Sequence, residues 1–327
     1  MGDGFSILRS DVSMSFPGRS PGGRVPIDFT YRYDPNATAE LFAAATPEEA
    51  MLALIHGNEQ AVRWHDALER GAYLPGETPP VIVINDLDAK GLPKGEDGFP
   101  LQMPFCAVVG CSDARVPSEL LFGQGFNSIF NIRTAGNVLS EENIGSLIYA
   151  LRSFVQEREV AGKSRALRLI VSLGHRGCGG IGAAIRASFD GIHGTIDHTS
   201  IGSIMRHIST PVLEVAIEAF ESVFGADSSS RPELRNVLAD VATYLNAAWV
   251  GHLIQMQVDG EGKSVSSRVG VLYAVFDPDD FRVRPLPPRD QDARAASLFA
   301  APPRDSASMR PLAIEICSRL KEHPHHV

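Results

Sequence analysis

The chain has 327 residues, of which 44% are hydrophobic and 21% are charged, as is ordinary for a soluble globular protein with a sizeable core. Its formal net charge of −9 argues against nucleic acid as the main partner, because nucleic-acid binding normally requires a basic face. No apolar run approaches the roughly 20 residues of a membrane span, so we expect none. Four cysteines do not make a disulfide scaffold in a chain this long. They favour a reducing, cytoplasmic location in which thiolates bind metal.

The N-terminal part combines an irregular arm with one well-marked helix. Residues 1–45 are rich in proline, glycine and arginine, and we interpret them as an extended arm, either disordered or laid across a neighbouring subunit. A helix should begin at Thr46, a capping residue followed by a proline and two glutamates, and continue toward Leu68. The β-rich run VIVIN (81–85) lies within the Gly/Pro/Asp-rich residues 75–100, which we interpret as a surface excursion.

From residue 105 onward, predicted strands alternate with predicted helices. This order indicates an α/β fold with a mainly parallel central sheet flanked by helices, preceded by the N-terminal helical arm. The predicted strands are 105–110, 128–133, 167–173 and 270–276. The predicted helices are a short turn or helix at 117–122, then 137–158, one opening at 179–181, then 211–224, 233–257 and a short one at 311–321.

Two of these strands end in soft metal ligands. FCAVVG (105–110) runs into Cys111, and LRLIVSLG (167–174) runs into His175, with Cys178 three residues later. The carboxyl ends of parallel strands lie on one edge of a sheet, so the topology should bring these residues together. Two thiolates and one imidazole suit zinc and leave a fourth position open, as a catalytic zinc requires.

Charged residues follow the first of these ligands at alternate positions. Asp113 could be a fourth ligand or a hydrogen-bond acceptor beside the metal. In extended backbone it points to the same side as Cys111, and so does Arg115, which is placed to form a bidentate pair that holds the carboxylate off the metal. The helix that opens at Gly179 adds backbone N–H groups, which favour a nearby anion.

Each feature also has a simpler interpretation. A cysteine after an apolar strand is most often a small buried hydrophobe, and we expect Cys106 and Cys317 to be inert for that reason. An Asp113–Arg115 pair alone could be a solvated ion pair. The joint pattern, C-x-D-x-R after one strand and H-x-x-C-G-G after another, is much harder to explain by packing alone.

These residues resemble the β-class carbonic anhydrases. The stretch CSDARVPSELLFGQGFNSIFNIRTAGN (111–137) is similar to the first signature of that family, and SLGHRGCGGI (172–181) is similar to the second. The resemblance runs from about 102 to 187 and is weaker for the Gly-Asn pair at 57–58 and the strand at 270–276.

The resemblance implies a site and a reaction. The reaction is the reversible hydration of CO2 to bicarbonate and a proton by zinc-bound hydroxide, with one Zn2+ per chain. A further match is to the substrate pocket of the plant-type branch. The residues implied are Cys111, His175 and Cys178 as zinc ligands, Asp113 and Arg115 as the catalytic dyad, and Gln102, Phe130, Tyr149 and Gly179 at the substrate.

Some positions depart from the family pattern. The branch with an inhibitory bicarbonate pocket has a tryptophan where this chain has Val108, so we do not expect that regulation, although Arg133 matches the arginine that the pocket uses. Gly123 stands where relatives often have aspartate, and Ala135 stands where plant-type members have a pocket valine. These differences concern access to the site more than its chemistry.

The resemblance also implies a homodimer or higher dimer-based oligomer, with the active site at the subunit interface and the N-terminal arm clasping the partner. Two alternatives stay open: a CS2 or COS hydrolase on the same fold, and a non-catalytic zinc-binding scaffold, against which the dyad and Gln102 argue. We divide the chain into an arm at 1–45, a catalytic domain at 46–284 with insertions near 75–100 and 190–232, and a Pro/Arg-rich extension at 285–327.

Overall fold

The computed structural model describes residues 27–34, 44–84, 94–95, 98–160, 163–190, 200–289 and 298–322. The strands are β1 Thr30–Tyr33, β2 Val81–Ile84, β3 Cys106–Gly110, β4 Ile129–Arg133, β5 Arg158–Val160, β6 Lys163–Arg165, β7 Leu169–His175, β8 Gly270–Phe276 and β9 Val283–Arg284. The helices are α1 Pro47–Arg70, α2 Ser118–Leu121, α3 Glu141–Phe154, α4 Gly179–Asp190, α5 Ser200–Ile208, α6 Glu214–Phe224, α7 Arg235–Gly260, α8 Lys263–Ser266 and α9 Met309–Glu322. Most of the predicted arm lies outside the described residues, as do parts of both predicted insertions and of the C-terminal extension.

The central sheet has five strands in the order β4-β3-β7-β8-β9. The first four are parallel and β9 is antiparallel to β8, which confirms the predicted α/β fold with a mainly parallel sheet. Gly110 lies opposite both Arg133 on β4 and Leu173 on β7, so these strands end at the same edge. The edge that follows Gly110 therefore receives the residues after each of these strands.

Helices cover both faces of the sheet. On one face, Leu54 of α1 shares a core with Val108. On the other face, Leu147 of α3 and Ile254 of α7 share a core with Val109. Because both faces are covered, β3 and β7 are buried along their whole length, and this explains why they appear in the sequence as continuous apolar runs.

Helix α1 begins where its capping residue predicts. The side chain of Thr46 accepts a hydrogen bond from the backbone N–H of Glu49 at 3.2 Å. Further along the helix, a Cβ atom on Gly57 would lie 1.6 Å from the carbonyl oxygen of Phe122, so only glycine allows this contact. The next residue, Asn58, is buried and makes three hydrogen bonds to the backbone of neighbouring segments. The Gly-Asn pair therefore holds α1 against the sheet.

Two predicted elements were wrong in part. The helix predicted for 137–158 begins only at Glu141, because residues 135–137 form a 3-10 turn in which Gly136 and Asn137 have φ angles of 74° and 51°. The run at 81–84, within the predicted surface excursion at 75–100, is a strand that is partly buried. It pairs in parallel with β1, and Ile82 and Ile84 are buried.

The C-terminal half adds a helical layer. Helix α5 is joined to α6 by residues Ser209–Leu213, in which Thr210 has an extended backbone with φ −127° and ψ 121°. This connection lies within the stretch for which the sequence predicted only the helical pattern at 211–224. Among the described residues, the helix Pro232–Gly260 is long and apolar enough to cross a membrane, but 78% of its most apolar window is buried inside the protein. Cys317 of α9 is buried in the core that this helix shares with α9.

Candidate metal centre and active site

Three potential metal ligands converge at the edge after Gly110. Cys111 follows β3, His175 ends β7 and Cys178 precedes α4, and their ligand atoms all lie within 4.8 Å of one another. The two sulfur atoms are 4.0 Å apart, close to the roughly 3.8 Å that tetrahedral zinc with bonds of about 2.3 Å imposes on two thiolates. All three residues are buried.

His175 has the correct nitrogen available for a metal. Its Nδ1 lies 3.0 Å from the carbonyl oxygen of Arg176, and because a carbonyl only accepts, Nδ1 must be the protonated nitrogen. Nε2 is then the atom with the free lone pair, and it is buried without a hydrogen-bond partner. A buried, unpartnered imidazole nitrogen beside two thiols fits a zinc site.

The two thiols shift each other's proton affinity in opposite directions. The pKa of Cys111 is lowered, chiefly because Cys178 hydrogen-bonds its sulfur, with His175 adding to the effect. The pKa of Cys178 is raised by the same hydrogen bond and by burial, while the backbone N–H groups of Ile181 and Gly180 act to lower it. The cluster thus already stabilises one thiolate, which is the form that binds metal.

Asp113 and Arg115 form the predicted bidentate pair. The Nε and Nη2 atoms of Arg115 donate to the two carboxylate oxygens of Asp113 at 3.0 and 2.7 Å, and Nη2 also donates to the carbonyl of Gly177 at 3.1 Å. These hydrogen bonds hold the pKa of Asp113 well below its usual range. One Asp113 oxygen lies 3.8 Å from Nε2 of His175. Because Arg115 engages both oxygens, the geometry favours the acceptor role over direct metal ligation.

Arg133, the last residue of β4, has a structural role that the sequence analysis did not predict. Its Nε donates to the carbonyl of Cys111 at 2.9 Å, and its Nη2 donates to the carbonyl of Asp113. Arg133 therefore fixes the backbone that carries both a metal ligand and the dyad carboxylate. The signals in the sequence were its position at the end of a predicted strand and its match to an arginine of the family pattern.

The start of α4 is packed against the turn at 135–137. A Cβ on Gly180 would lie 2.8 Å from Cα of Gly136, whereas a Cβ on the exposed Gly179 would meet nothing within 4 Å. The N–H groups of Gly180 and Ile181 point at the sulfur of Cys178. The helix start at Gly179 was expected to favour a separate anion nearby. At least these two N–H groups instead stabilise the sulfur of Cys178, one of the potential metal ligands.

Of the four predicted substrate residues, Gly179 adjoins Cys178, whereas Gln102, Phe130 and Tyr149 lie elsewhere in the chain. The rings of Phe130 and Tyr149 contact each other in a tilted arrangement with a centroid distance of 6.3 Å. However, Phe130 pairs with Ala107, four residues before Cys111, or roughly 13 Å along the strand. The exposed Gln102 precedes β3, and its neighbours bond Asn127 at the amino end of the sheet. One chain thus brings the metal ligands and the dyad together but leaves these three residues apart from them.

Comparisons with known proteins agree with this geometry. The family model described as carbonic anhydrase matches residues 106–260. The chain is 33% identical over 112 residues to carbonic anhydrase 2 of Mycobacterium tuberculosis, a match that covers 34% of this chain and 47% of that protein. It is 38% identical over 90 residues to a carbonic anhydrase of Mycolicibacterium smegmatis, covering 28% of this chain and 38% of that protein. The chain thus spans less than half the length of these curated relatives.

Among solved structures, the chain is similar to the β-carbonic anhydrase CafA of Aspergillus fumigatus, with a TM-score of 0.42 and 15% identity over 67% of this chain and 83% of that one. The segment matched by the family model includes both candidate metal-ligand motifs and the Asp-Arg pair that follows the first of them. Residues 106–260 of the chain are therefore similar to the carbonic anhydrase family.

Proposed function

We propose that this protein is a zinc enzyme that catalyses the reversible hydration of CO2 to bicarbonate and a proton. The observation that carries the proposal is the buried cluster of Cys111, His175 and Cys178 beside a carboxylate that Arg115 holds in place. These three residues would hold the zinc, which supplies an acidified water as the nucleophile at neutral pH. A metal with a purely structural role would not need the neighbouring carboxylate.

Asp113 has the properties of an orienting acceptor. Its pKa lies well below the usual range, because Arg115 hydrogen-bonds both oxygens, so the carboxylate stays ionised at neutral pH and can only accept hydrogen bonds. It would accept one from the nucleophile and aim the attacking lone pair at CO2. Arg115 is itself anchored to the carbonyl of Gly177, which links the dyad to the turn between His175 and Cys178.

The substrate pocket requires a second subunit. We assign Gln102, Phe130 and Tyr149 to the site of the neighbouring protomer in a homodimer, since all three are remote from the metal ligands of their own chain. Gln102 is exposed, 56% of Tyr149 is exposed, and β4, which carries Phe130, is an outer strand of the sheet. All three are thus on surface elements that a partner can meet. There Gln102 would donate a hydrogen bond to a CO2 oxygen and the aromatic rings would hold the apolar substrate.

The proposal is tested by stopped-flow CO2 hydration on zinc-loaded protein whose metal content has been measured. Asp113→Asn should lower turnover by about 10- to 100-fold while zinc stays bound. Asp259→Asn is the control, because Asp259 is exposed near the C-terminal end of α7 and lies outside the cluster of Cys111, His175 and Cys178. Bound zinc without hydration by the wild type would refute the assignment, and turnover of CS2 or COS in its place would identify the alternative hydrolase.

A further inference from the structure

The guanidinium of Arg176, the residue after His175, connects carboxylates from two other elements. Its Nε and Nη2 donate to the same oxygen of Asp240 on α7 at 3.1 and 3.0 Å. Its Nη1 donates to Asp277, directly after β8, at 3.1 Å. The residue beside a metal ligand thus joins the ends of β7 and β8 to the long helix that packs on the sheet.

This network is buried and charged. The side chains of Arg176, Asp240 and Asp277 are only 16%, 11% and 7% exposed. Arg284 completes the network by donating to Asp277 at 3.3 Å and to Asp280. Buried ion pairs of this kind are a poor way to gain stability, because the cost of desolvating the charges offsets much of their attraction. The network is therefore better explained by a geometric task than by stability alone.

Two hydrogen bonds of the Arg176 backbone connect this network to the orientation of His175. Its N–H donates to the carbonyl of Phe276 at 2.9 Å, so it extends the hydrogen bonding of β7 to β8 by one residue. Its carbonyl accepts the proton of His175 Nδ1 at 3.0 Å. That hydrogen bond decides which ring nitrogen is left for the metal and how the ring is oriented.

We infer that Arg176 is a positioning residue of the metal site, an inference that rests on the proposed zinc chemistry. Its side chain is clamped by Asp240 and Asp277, and its backbone is held by β8. The carbonyl that orients His175 is thereby fixed, and Nε2 is aimed at the two cysteines. Loss of the clamp frees this peptide to rotate and weakens the hold on the ring.

The test compares Arg176→Gln with Arg284→Gln. Both arginines are 16% exposed, and both donate to the same oxygen of Asp277, so each variant takes a guanidinium away from the same buried carboxylate. Both should lower the urea midpoint of the metal-free protein. Only Arg176→Gln should weaken zinc binding, by about 10- to 100-fold in chelator competition, and shift the absorption bands of the cobalt-loaded protein.

Equal zinc affinities and cobalt spectra for the two variants would overturn the inference, since Arg176 would then be only a structural brace. If Arg176→Gln does not fold, Arg176→Lys and Arg284→Lys are compared in the same way, because lysine keeps the charge but not the fork. Neither measurement uses CO2. A wild type that binds zinc without hydrating CO2 would refute the proposed function alone, and unaltered metal binding by Arg176→Gln would refute this inference alone.

Discussion

Substitution of Gly180 by alanine should displace the start of α4 and, with it, the candidate metal ligand Cys178. The Cβ atom would lie 2.8 Å from Cα and 2.9 Å from N of Gly136, and both are backbone atoms that cannot rotate away. Gly136 itself has a φ of 74°, and a Cβ there would meet Ile208 at 2.9 Å, so its turn is packed on the opposite side as well. The helix that follows Cys178 must therefore give way.

The size of the effect follows from these distances. Ordinary van der Waals contact requires the helix and the turn to separate by about 0.6 Å, and overpacking of this kind costs about 1–3 kcal/mol. The better helix propensity of alanine offsets up to about 1 kcal/mol of that cost. Because Cys178 lies two residues before Gly180, the same shift changes the 4.0 Å separation of the two sulfur atoms. We expect lower stability together with weaker zinc binding.

Gly179→Ala is the matched control. A Cβ at Gly179 meets nothing within 4 Å, so this variant should be as stable as the wild type or slightly more stable and should keep its zinc affinity. Urea unfolding of the metal-free proteins and chelator competition for zinc measure both quantities. If Gly180→Ala matched Gly179→Ala in both assays, the packing of α4 against the turn would not position Cys178, and the reasoning would be refuted.

Three further predictions concern pH, packing and metal. The pKa of Asp113 lies well below its usual range, so this carboxylate stays ionised down to acid pH. The ratio of wild-type to Asp113→Asn turnover should therefore stay constant from about pH 6.5 to 9. A ratio that falls to one at the lower end would contradict this prediction. Asn58→Ala removes three buried hydrogen bonds to the backbone and should lower the free energy of unfolding by about 3 kcal/mol. The control, Glu59→Ala at an exposed position, should lower it by about 0.5 kcal/mol or less. Urea unfolding measures both values. Zinc at a hundredfold excess over its dissociation constant should stabilise the wild type by about 2.7 kcal/mol; Cys178→Ser should lose most of that gain, and an equal gain in this variant would contradict the ligand assignment.

The sequence was sufficient to predict that Cys111, His175 and Cys178 lie close together, because the predicted topology supplied the missing distance information. Cys111 and His175 are 64 positions apart, but each follows a buried apolar run, and parallel strands end at one edge. The start of α1 was equally predictable, since a capping threonine before a proline is a local signal that tertiary contacts did not override.

The pocket and the turn before α3 could not be derived in the same way. Phe130 and Tyr149 do form an aromatic pair, but family motifs do not specify the strand register, and it is the register that separates Phe130 from Cys111 within one chain. The helix predicted from residue 137 begins at Glu141 because the turn at 135–137 has two positive φ angles, which follow from its packing and not from apolar periodicity.

The residues that support the metal ligands were the hardest to foresee, although they account for much of the geometry of the site. Each ligand has its own backbone support: Arg133 donates to the carbonyl of Cys111, the carbonyl of Arg176 accepts from His175, and Gly180 sets the helix after Cys178. Ligands that are already fixed lose less conformational freedom when a metal binds, so such support raises affinity without any new contact to the metal. The three ligands form a recognisable pattern in the sequence, whereas their supports come from three different neighbouring elements. For this reason the chemistry of the site can be predicted from two short motifs, whereas the exact positions of its ligands depend on the whole domain.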